Sequence, residues 1–386
     1  MYKLYFAERD NTLYERFPRQ NTGIDQILEL TKVASGSKIN GLVQANTTNT
    51  RILIDFGSQI TSIINDISSN KIPPIGNGAN SSSVYLNIKA SDASDLPLSY
   101  TLKAFPVSES WDNGNGNFSD IPETRIGSSW FNKSGDDGGT SAVKWNTGSA
   151  ASYNNLGVTE TSGGGTWMTG SGFEASQSFQ NQSPDIRMNV TDIVQKWTTS
   201  VMTNNGFLLK RTYEDEINGN ILGSIKYFGR ESHTIFLPRL EVAFNDTILS
   251  GTGSYNEISS ETYVPYIKNI KPEYRAGDKT KFRIGVRPEF PSKSYQTSSF
   301  YITADRLPTS SYYSISDTVT DEVLIPFDET TKNATQISCD GNGNYFKIDM
   351  NTFLPERYYK ISLKVIRDSG DDVQIHDDRF FFKVVK

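Results

Sequence analysis

The sequence predicts an all-β protein made of two β-sandwiches with long loops, the first of them carrying two short helices. Tyr and Phe number 19 and 21, and aromatic residues suit pleated, half-buried surfaces. Several short runs alternate apolar and polar residues, which is the period of a strand with one buried face. Stretches rich in Asn, Ser, Thr and Gly separate these runs, as in all-β proteins with large loops.

The first residues predict a strand. Residues 1–9 mix apolar and polar side chains and reach the charges of Glu8 and Arg9 early. An export leader has a basic stretch followed by an apolar run of roughly 7–15 residues. We therefore expect no signal peptide. If the chain reaches the outside of the cell, we expect something other than the secretion machinery to carry it there.

Two helices are expected within the first sandwich. Residues 51–56 alternate like a strand, and the following isoleucines return at intervals of three and four residues, which predicts an amphipathic helix over about 59–68. A second helix is predicted from the helical spacing of four apolar residues, Val190, Ile193, Val194 and Trp197. Asn189 is its expected N-cap.

A polar, Gly-rich excursion over residues 106–182 contains four of the five tryptophans: Trp111, Trp130, Trp145 and Trp167. A structureless loop of this length is unusual in a compact domain. Exposed rings in such a stretch would stack on sugars, which makes these four residues the candidate glycan-binding site. The alternative is that the rings are buried and anchor the excursion, as most tryptophans do.

The domain boundary is expected in a small, polar connection. We assign residues 1–245 to the first sandwich, 246–262 to a linker and 263–386 to the second sandwich. The second region contains about 125 residues of short alternating strands, such as that of Phe282, Ile284 and Val286, which is typical of a seven-stranded sandwich.

The charge and the cysteine content argue against several classes of protein. The net charge of −6 argues against nucleic-acid binding, which needs a basic stripe. No apolar run reaches the ~18 residues of a membrane helix, so no membrane insertion is expected. The single cysteine, Cys339, lies in a polar turn and excludes an internal disulfide framework.

The residues give no sign of catalysis. His233 and His376 are the two histidines, and neither accompanies a nucleophile motif or a zinc-ligand cluster. Residues 136–139 and 340–344 combine Asp or Asn with Gly, so a structural calcium ion in such a loop stays open. We predict no enzyme, no catalytic residue and no cofactor.

Six short sequence segments of the first region match the signature of a known family. They are Asn21, Thr22 and Gly23 with residues 28–30; residues 51–56; Val190 and Thr191 with Val194 and Trp197; Asn205, Gly206 and Phe207; residues 228–232; and residues 238–242. In order and spacing they resemble the DNRLRE-type β-sandwich domain, a jelly-roll relative of carbohydrate-binding modules. The resemblance covers about residues 1–245 and implies an N-terminal jelly-roll-like β-sandwich. Members of that family are usually exported bacterial surface proteins. Their signature residues are structural, so the resemblance carries no binding site to this chain.

The second region resembles tail-associated structural proteins of tailed bacteriophages in residues 270–275, 286–291 and 353–359. Tyr359 follows Pro355 by four residues, as in the tyrosine corner of fibronectin-type-III-like domains, where the hydroxyl bonds back to the backbone. The resemblance implies a C-terminal Ig-like, or fibronectin-III-like, β-sandwich, although the Cys–Trp–Cys pattern of immunoglobulins is absent.

Two functions follow from these observations. The first is a non-enzymatic structural component of a tailed bacteriophage virion (tail, neck or baseplate), assembled in the host cytoplasm. It would act through interfaces with other virion proteins and with its own copies, in a ring or another symmetric assembly. The alternative is a carbohydrate-binding adhesin module that recognises host surface glycans. A polysaccharide-degrading enzyme is the third possibility.

Overall fold

The computed structural model describes residues 1–34, 38–39, 42–43, 47–146, 163–250, 253, 255–291, 305–367, 370–377 and 380–386. Strands make up 44% of the chain and helices 9%. The predicted all-β class is therefore confirmed. The chain divides into two compact units, Tyr5–Glu241, and Val242–Lys386 with Met1–Leu4, which we call the first and the second unit.

The segment expected to be a linker pairs with other residues of the second unit. Ile248 accepts a hydrogen bond from the Cys339 N–H at 2.8 Å, and Ile258 donates its N–H to the Arg306 carbonyl at 3.0 Å. The division between the two units falls earlier in the chain than residues 246–262, between Glu241 and Val242.

The elements follow one another in chain order. The earlier strands are β1 Tyr2–Phe6, β2 Arg9–Tyr14, β3 Ile27–Ala34, β4 Lys38–Ile39, β5 Leu42–Val43, β6 Thr47–Asp55, β7 Ser83–Ile88, β8 Ala90–Ser94, β9 Ser99–Pro106, β10 Asn132–Ser134, β11 Val143–Lys144, β12 Ala175–Gln180, β13 Ile186–Asn189, β14 Phe207–Arg211, β15 Gly223–Phe228 and β16 Arg239–Ala243. The later strands are β17 Tyr263–Ile267, β18 Glu273–Arg275, β19 Lys279–Pro288, β20 Ser311–Asp317, β21 Val323–Ile325, β22 Ser338–Asp340, β23 Gly343–Asp349, β24 Arg357–Arg367, β25 Asp372–His376 and β26 Phe381–Val385. The helices are α1 Gly57–Ser68, α2 Thr191–Thr198 and α3 Tyr213–Ile217, and 3₁₀ turns span Arg230–Ser232 and Met350–Thr352.

A large sheet dominates the first unit. Its strand order is β12-β9-β14-β6-β3-β15-β8, with β2 also paired to β6, and a four-stranded sheet has the order β1-β16-β7-β13. Ile52 and Ile54 are fully buried, and so is Leu53 between them, whose side chain points to the other face. The large sheet is therefore buried on both faces at β6, where the sequence pattern predicted one buried face.

Both predicted helices of the first unit are present. α1 buries Ile60 and Ile63, and the Glu8 carboxylate accepts the Ser58 N–H in its first turn at 3.0 Å. The N-cap of α2 is Val190 and not the predicted Asn189, which precedes it and accepts the Thr191 N–H at 3.0 Å. The short helix α3 was not predicted from the sequence.

The second unit packs a four-stranded sheet, β17-β19-β23-β22, against a six-stranded sheet, β18-β26-β24-β20-β21 with β25 paired to β24. Aromatic rings from the two sheets meet in its core, where Phe346 stacks on Tyr313 with ring centroids 4.3 Å apart. The Tyr359 hydroxyl donates to the Leu354 carbonyl at 2.8 Å. This bond back to the backbone is the one that the tyrosine-corner pattern predicted.

Candidate functional site

The four tryptophans of the candidate glycan site lie together in one buried cluster. Trp111, Trp130, Trp145 and Trp167 are only 0–4% exposed. They pack on Leu13, Leu53, Phe105 and Leu208, which come from the neighbouring strands β2, β6, β9 and β14. The register places Leu208 opposite both Leu53 and Phe105, so these side chains share one face of the large sheet. The excursion thus covers this face with a second hydrophobic layer.

Hydrogen bonds fix two of the four rings in place. The Trp111 Nε1–H donates to the Asn205 carbonyl at 2.8 Å, and the Trp145 Nε1–H donates to the Ser129 carbonyl at 2.9 Å. Buried indole N–H groups normally need such partners. These rings present no exposed face on which a sugar could stack, and the structure places them as the anchors that the sequence offered as the alternative.

A buried ion group lies beside two of the rings. The Glu216 carboxylate accepts from Arg51 Nε at 3.0 Å and from Arg51 Nη2 at 2.9 Å, and it also pairs with Lys210 Nζ. The Arg51 guanidinium lies 4.8 Å from the Trp130 ring centroid and 5.1 Å from that of Trp167. Arg51 therefore joins the sheet, α3 and the excursion.

The charges of this group shift one another's pKa values. Burial alone would raise the pKa of Glu216, but Arg51 and Lys210 together lower it. Burial, assisted by repulsion from Arg51, lowers the pKa of Lys210 to about 8. A buried amine of this kind can serve as a base, yet Lys210 is held by Glu216 and covered by Trp167, at 5.0 Å from its ring centroid.

Steric crowding explains why the centre of the excursion is rich in glycine. A Cβ atom on Gly164 would lie 2.5 Å from Arg51 Nη1, and one on Gly165 would lie 2.5 Å from Leu208 Cδ1. Both residues have positive φ, +76° and +88°, which glycine adopts without strain. The Gly164 carbonyl accepts from Arg51 Nη1 at 2.9 Å, so the backbone itself contacts the ion group.

One of the two loops considered for calcium binding has its acidic side chain engaged in ion pairs. In the described parts of the chain, no cluster of three or more His, Cys, Asp or Glu could hold a metal ion. In the Asp/Asn/Gly loop at 340–344, Asp340 pairs with Lys281 at 2.7 Å and with Arg283. These cations lower the pKa of Asp340 and already balance the charge that a calcium ion would use.

The two histidines and the cysteine are not brought together. His233 is exposed and ends a 3₁₀ turn with φ of 52°. His376 lies at the end of β25, with its ring 5.3 Å from that of Tyr263. Cys339 belongs to strand β22 and is buried, whereas the sequence placed it in a polar turn. Burial raises the pKa of its thiol.

One carboxyl group has a strongly perturbed environment. Asp10 is 2% exposed, and burial raises its pKa to about 7 although it accepts the Arg230 N–H at 2.6 Å. Asp25 nearby has a pKa raised to about 6, also through burial. Neither of the two clefts described next is lined by Asp10 or Asp25.

Among the clefts formed by the described residues, two have volumes in the range of small-molecule sites. One, of about 620 Å³, lies in the first unit between α1 and the end of α2. It is lined by Arg9, Asp55, Gly57, Ile60, Thr61, Ile64, Trp197 and residues 200–204. The Trp197 Nε1–H is buried without a hydrogen-bond partner. The other, of about 400 Å³, lies in the second unit between β17 and β25.

The outer face of the six-stranded sheet exposes large apolar side chains. Tyr358, Val373, Ile375 and Phe381 are 47–57% exposed and belong to β24, β25 and β26. Phe381 stands opposite Lys360, and Ile375 opposite Lys364, on β24. Opposite residues of an antiparallel pair point to the same side, so these apolar groups and the lysines share the outer face. We call the four apolar residues the outer patch.

Sequence reasoning missed the outer patch. Residues 380–382 are all Phe, and in a strand with period two the middle ring must point away from the core. That run was the available signal for Phe381. Strand β25 carried no such signal, because Val373 and Ile375 are separated by Gln374 and read as an ordinary half-buried pair.

Comparisons with known proteins do not identify a family. Neither the protein-family models nor the curated proteins give a match. A solved structure that aligns with the chain is that of a DUF4785 family protein from Legionella pneumophila, at 6% identity and a TM-score of 0.20. The alignment covers 100% of this chain and 62% of the Legionella protein. A likeness of this level carries no argument about fold or function.

Proposed function

We propose that the protein is a non-enzymatic structural component of a tailed bacteriophage virion, in the tail, neck or baseplate, that acts through subunit–subunit interfaces. The observation that carries the proposal is the outer patch of Tyr358, Val373, Ile375 and Phe381, which exposes four large apolar groups on adjacent strands of one sheet. The register divides them into two pairs along β24, Tyr358 with Phe381 and Val373 with Ile375, with Lys360 and Lys364 beside them. Exposed apolar groups rimmed by polar residues are typical of protein–protein interfaces.

The internal chemistry of the first unit supports a structural role. The strongest charges near the excursion, Arg51, Lys210 and Glu216, are paired with one another and anchor the backbone. Rigid sandwiches with pinned loops are suited to repeated contacts with virion proteins and with further copies of the chain, including those of a closed ring.

Part of the proposal concerns the place of the protein. A virion component is made and assembled in the host cytoplasm and reaches the outside only within a particle. Within the described residues, no helix is long and apolar enough to cross a membrane. Such an assembly also fits the negative net charge of −6, since it needs no contact with nucleic acid.

Composition of purified particles tests the proposal. Particles of the phage that encodes the chain are purified by density gradient, and their proteins are quantified by mass spectrometry. We expect the chain at a fixed, multiple copy number per particle, and labelling with an antibody should mark one position under the electron microscope. Absence from infectious particles would refute the proposal.

A variant pair tests the outer patch in the same assay. Phe381→Lys places a charge in the patch, and Val319→Lys places one at a side chain that is 81% exposed outside it. We expect Phe381→Lys to reduce incorporation into particles by at least about tenfold, as for the loss of an interface anchor, while Val319→Lys leaves incorporation unchanged. Equal incorporation of both variants would remove the patch as the interface.

Host-glycan binding is the second candidate function, and the cleft between α1 and α2 is the observation that favours it. The cleft combines apolar side chains with hydroxyls and the unpartnered Trp197 N–H, a mixture that suits a neutral polyol. Thr61→Arg would fill the cleft, whereas Ser62→Arg, one position further along the same helix, would point away from it. Glycan-array binding that is lost only with Thr61→Arg would support this function, and no binding by the wild type would end it.

A further inference from the structure

Strand β25 pairs with β24 along one of its two edges. Ile366 stands opposite Val373 in the β24/β25 register, yet it donates its N–H to Ser310, on the far side of β24, at 3.0 Å. Because main-chain directions alternate along antiparallel strands, Val373 and, two residues on, Ile375 turn their N–H and C=O groups away from β24. Within the described residues no strand pairs with that outer edge.

The other edge strands of the second unit are protected against strand addition. β18, β21 and β22 have three residues each, and short edges offer few bonds. β17 contains Pro265, which lacks an N–H and is typical of edges that must not pair. β25 has five residues, no proline and two exposed apolar side chains.

The sequence of β25 is complementary to itself in the antiparallel direction. A two-fold axis through Gln374 places Val373 opposite Ile375 of a second copy, and Asp372 opposite His376 of that copy. Apolar side chains then meet on the outer face, and a carboxylate meets an imidazole on the other. The apolar matches are favourable between opposed residues. The Asp372 carboxylate also pairs with Arg367 within its own chain at 2.8 Å, and just beyond the strand Asp371 would face Asp377 of the second copy, so the apolar matches carry the argument.

We propose that two copies of this chain pair through the outer edges of β25, so that their six-stranded sheets become one continuous sheet. Val373 and Ile375 of each copy supply four main-chain hydrogen bonds, because both residues point their backbone groups outward. The arrangement is isologous, as a two-fold interface requires. The inference rests on the proposed function, since it names the first partner of a self-assembling subunit as a second copy.

The register of the proposed β25 pair predicts a specific disulfide cross-link that non-specific association would not give. Opposed residues in a non-hydrogen-bonded pair have Cα atoms about 4.5 Å apart, within the span of about 4.4–6.8 Å that a disulfide bridges. Gln374 occupies such a pair with itself. We expect Gln374→Cys to form a covalent dimer under mild oxidation and Val319→Cys, at an exposed loop site, to form none. The native Cys339 is 1% exposed, so wild-type protein provides the background.

Sedimentation velocity measures the same interface without a cross-link. Val373→Lys should raise the dimer dissociation constant by at least about tenfold, since two opposed apolar pairs are lost in each dimer, while Val319→Lys leaves it unchanged. Circular dichroism melts confirm that both variants fold. A monomer at every concentration would overturn the pairing. So would a dimer that ignores Val373→Lys and gives no Gln374→Cys cross-link.

These outcomes are separate from those of the proposed function. A monomeric chain that is nevertheless present in purified particles would remove the β25 pairing and leave the virion role. A dimer with the predicted cross-link, made by a chain absent from particles, would remove the virion role and leave the pairing.

Discussion

Replacing Glu216 by Gln should destabilise the first unit more than any surface change. The Glu216 side chain is 5% exposed and balances Arg51 and Lys210, whose side chains are 6% and 2% exposed. Glu216→Gln therefore leaves two buried cations beside a neutral amide. Removing one partner of a buried ion pair costs about 3–5 kcal/mol, so we expect the free energy of unfolding to fall by about that amount. This is a large part of a typical domain stability of about 5–15 kcal/mol.

Urea denaturation at neutral pH measures this loss, with Glu214→Gln as the matched control. Glu214 lies in the same helix, α3, and is exposed, so its loss should change the free energy of unfolding by less than about 0.5 kcal/mol. The double-mutant cycle of Glu216→Gln with Arg51→Gln should be strongly non-additive, because the two side chains share two hydrogen bonds.

The pH dependence has a definite sign. The pKa of Glu216 in the folded protein is lowered from its ordinary value of 4.5. The stability that its charge contributes is therefore present above pH 4.5 and is lost as the pH falls through the lowered folded value. The difference between wild type and Glu216→Gln should shrink on acidification. A Glu216→Gln variant as stable as Glu214→Gln at neutral pH would refute the reasoning.

Three further changes have expected outcomes in denaturation experiments. Burial raises the pKa of Asp10 to about 7, so the wild type should lose stability as the pH rises from about 4 to about 7. Asp10→Asn should not lose stability over this pH range. At about pH 8 its free energy of unfolding should exceed that of the wild type by about 2–4 kcal/mol. Parallel pH profiles of the two proteins would contradict this. Tyr359→Phe removes a buried hydrogen bond and should cost about 1–2 kcal/mol, whereas the exposed Tyr358→Phe should cost nothing measurable, and equal melting temperatures would count against the tyrosine corner. Gly165→Ala forces a side chain onto a positive φ and should cost at least about 1 kcal/mol; Gly219→Ala, where a Cβ meets nothing within 4 Å, is its control, and equal losses would reject the steric argument.

Local signals were enough to predict the elements that depend on local chemistry. The spacing of isoleucines predicted α1 within two residues of its start at Gly57, because helical periodicity needs no distant partner. The Tyr359 bond spans five residues and was predicted for the same reason. α3 has five residues and is too short to show a period, so it could not be predicted.

The arrangement around the excursion depends on contacts that sequence order does not show. Arg51 and Glu216 are 165 residues apart, and their pairing follows from the register of β6 and β14 and from the position of α3. The sequence left two roles open for the tryptophans because spacing in a polar stretch does not show which side of a ring is covered. The burial of Leu53 between Ile52 and Ile54 was the informative detail, since a strand apolar on both faces needs a layer on each side.

The two units differ in how they cover the apolar side chains on the outer faces of their sheets. A sheet in a sandwich has an outer face, and apolar groups on that face must be covered or remain in water. In the first unit the chain covers Leu53, Phe105 and Leu208 with its own tryptophans. In the second unit Phe381 and Ile375 stay about half exposed, and within the described residues β25 beside them keeps an unpaired edge. Exposed apolar groups beside an edge of this kind favour association between chains, so the second unit is where we expect a partner to bind.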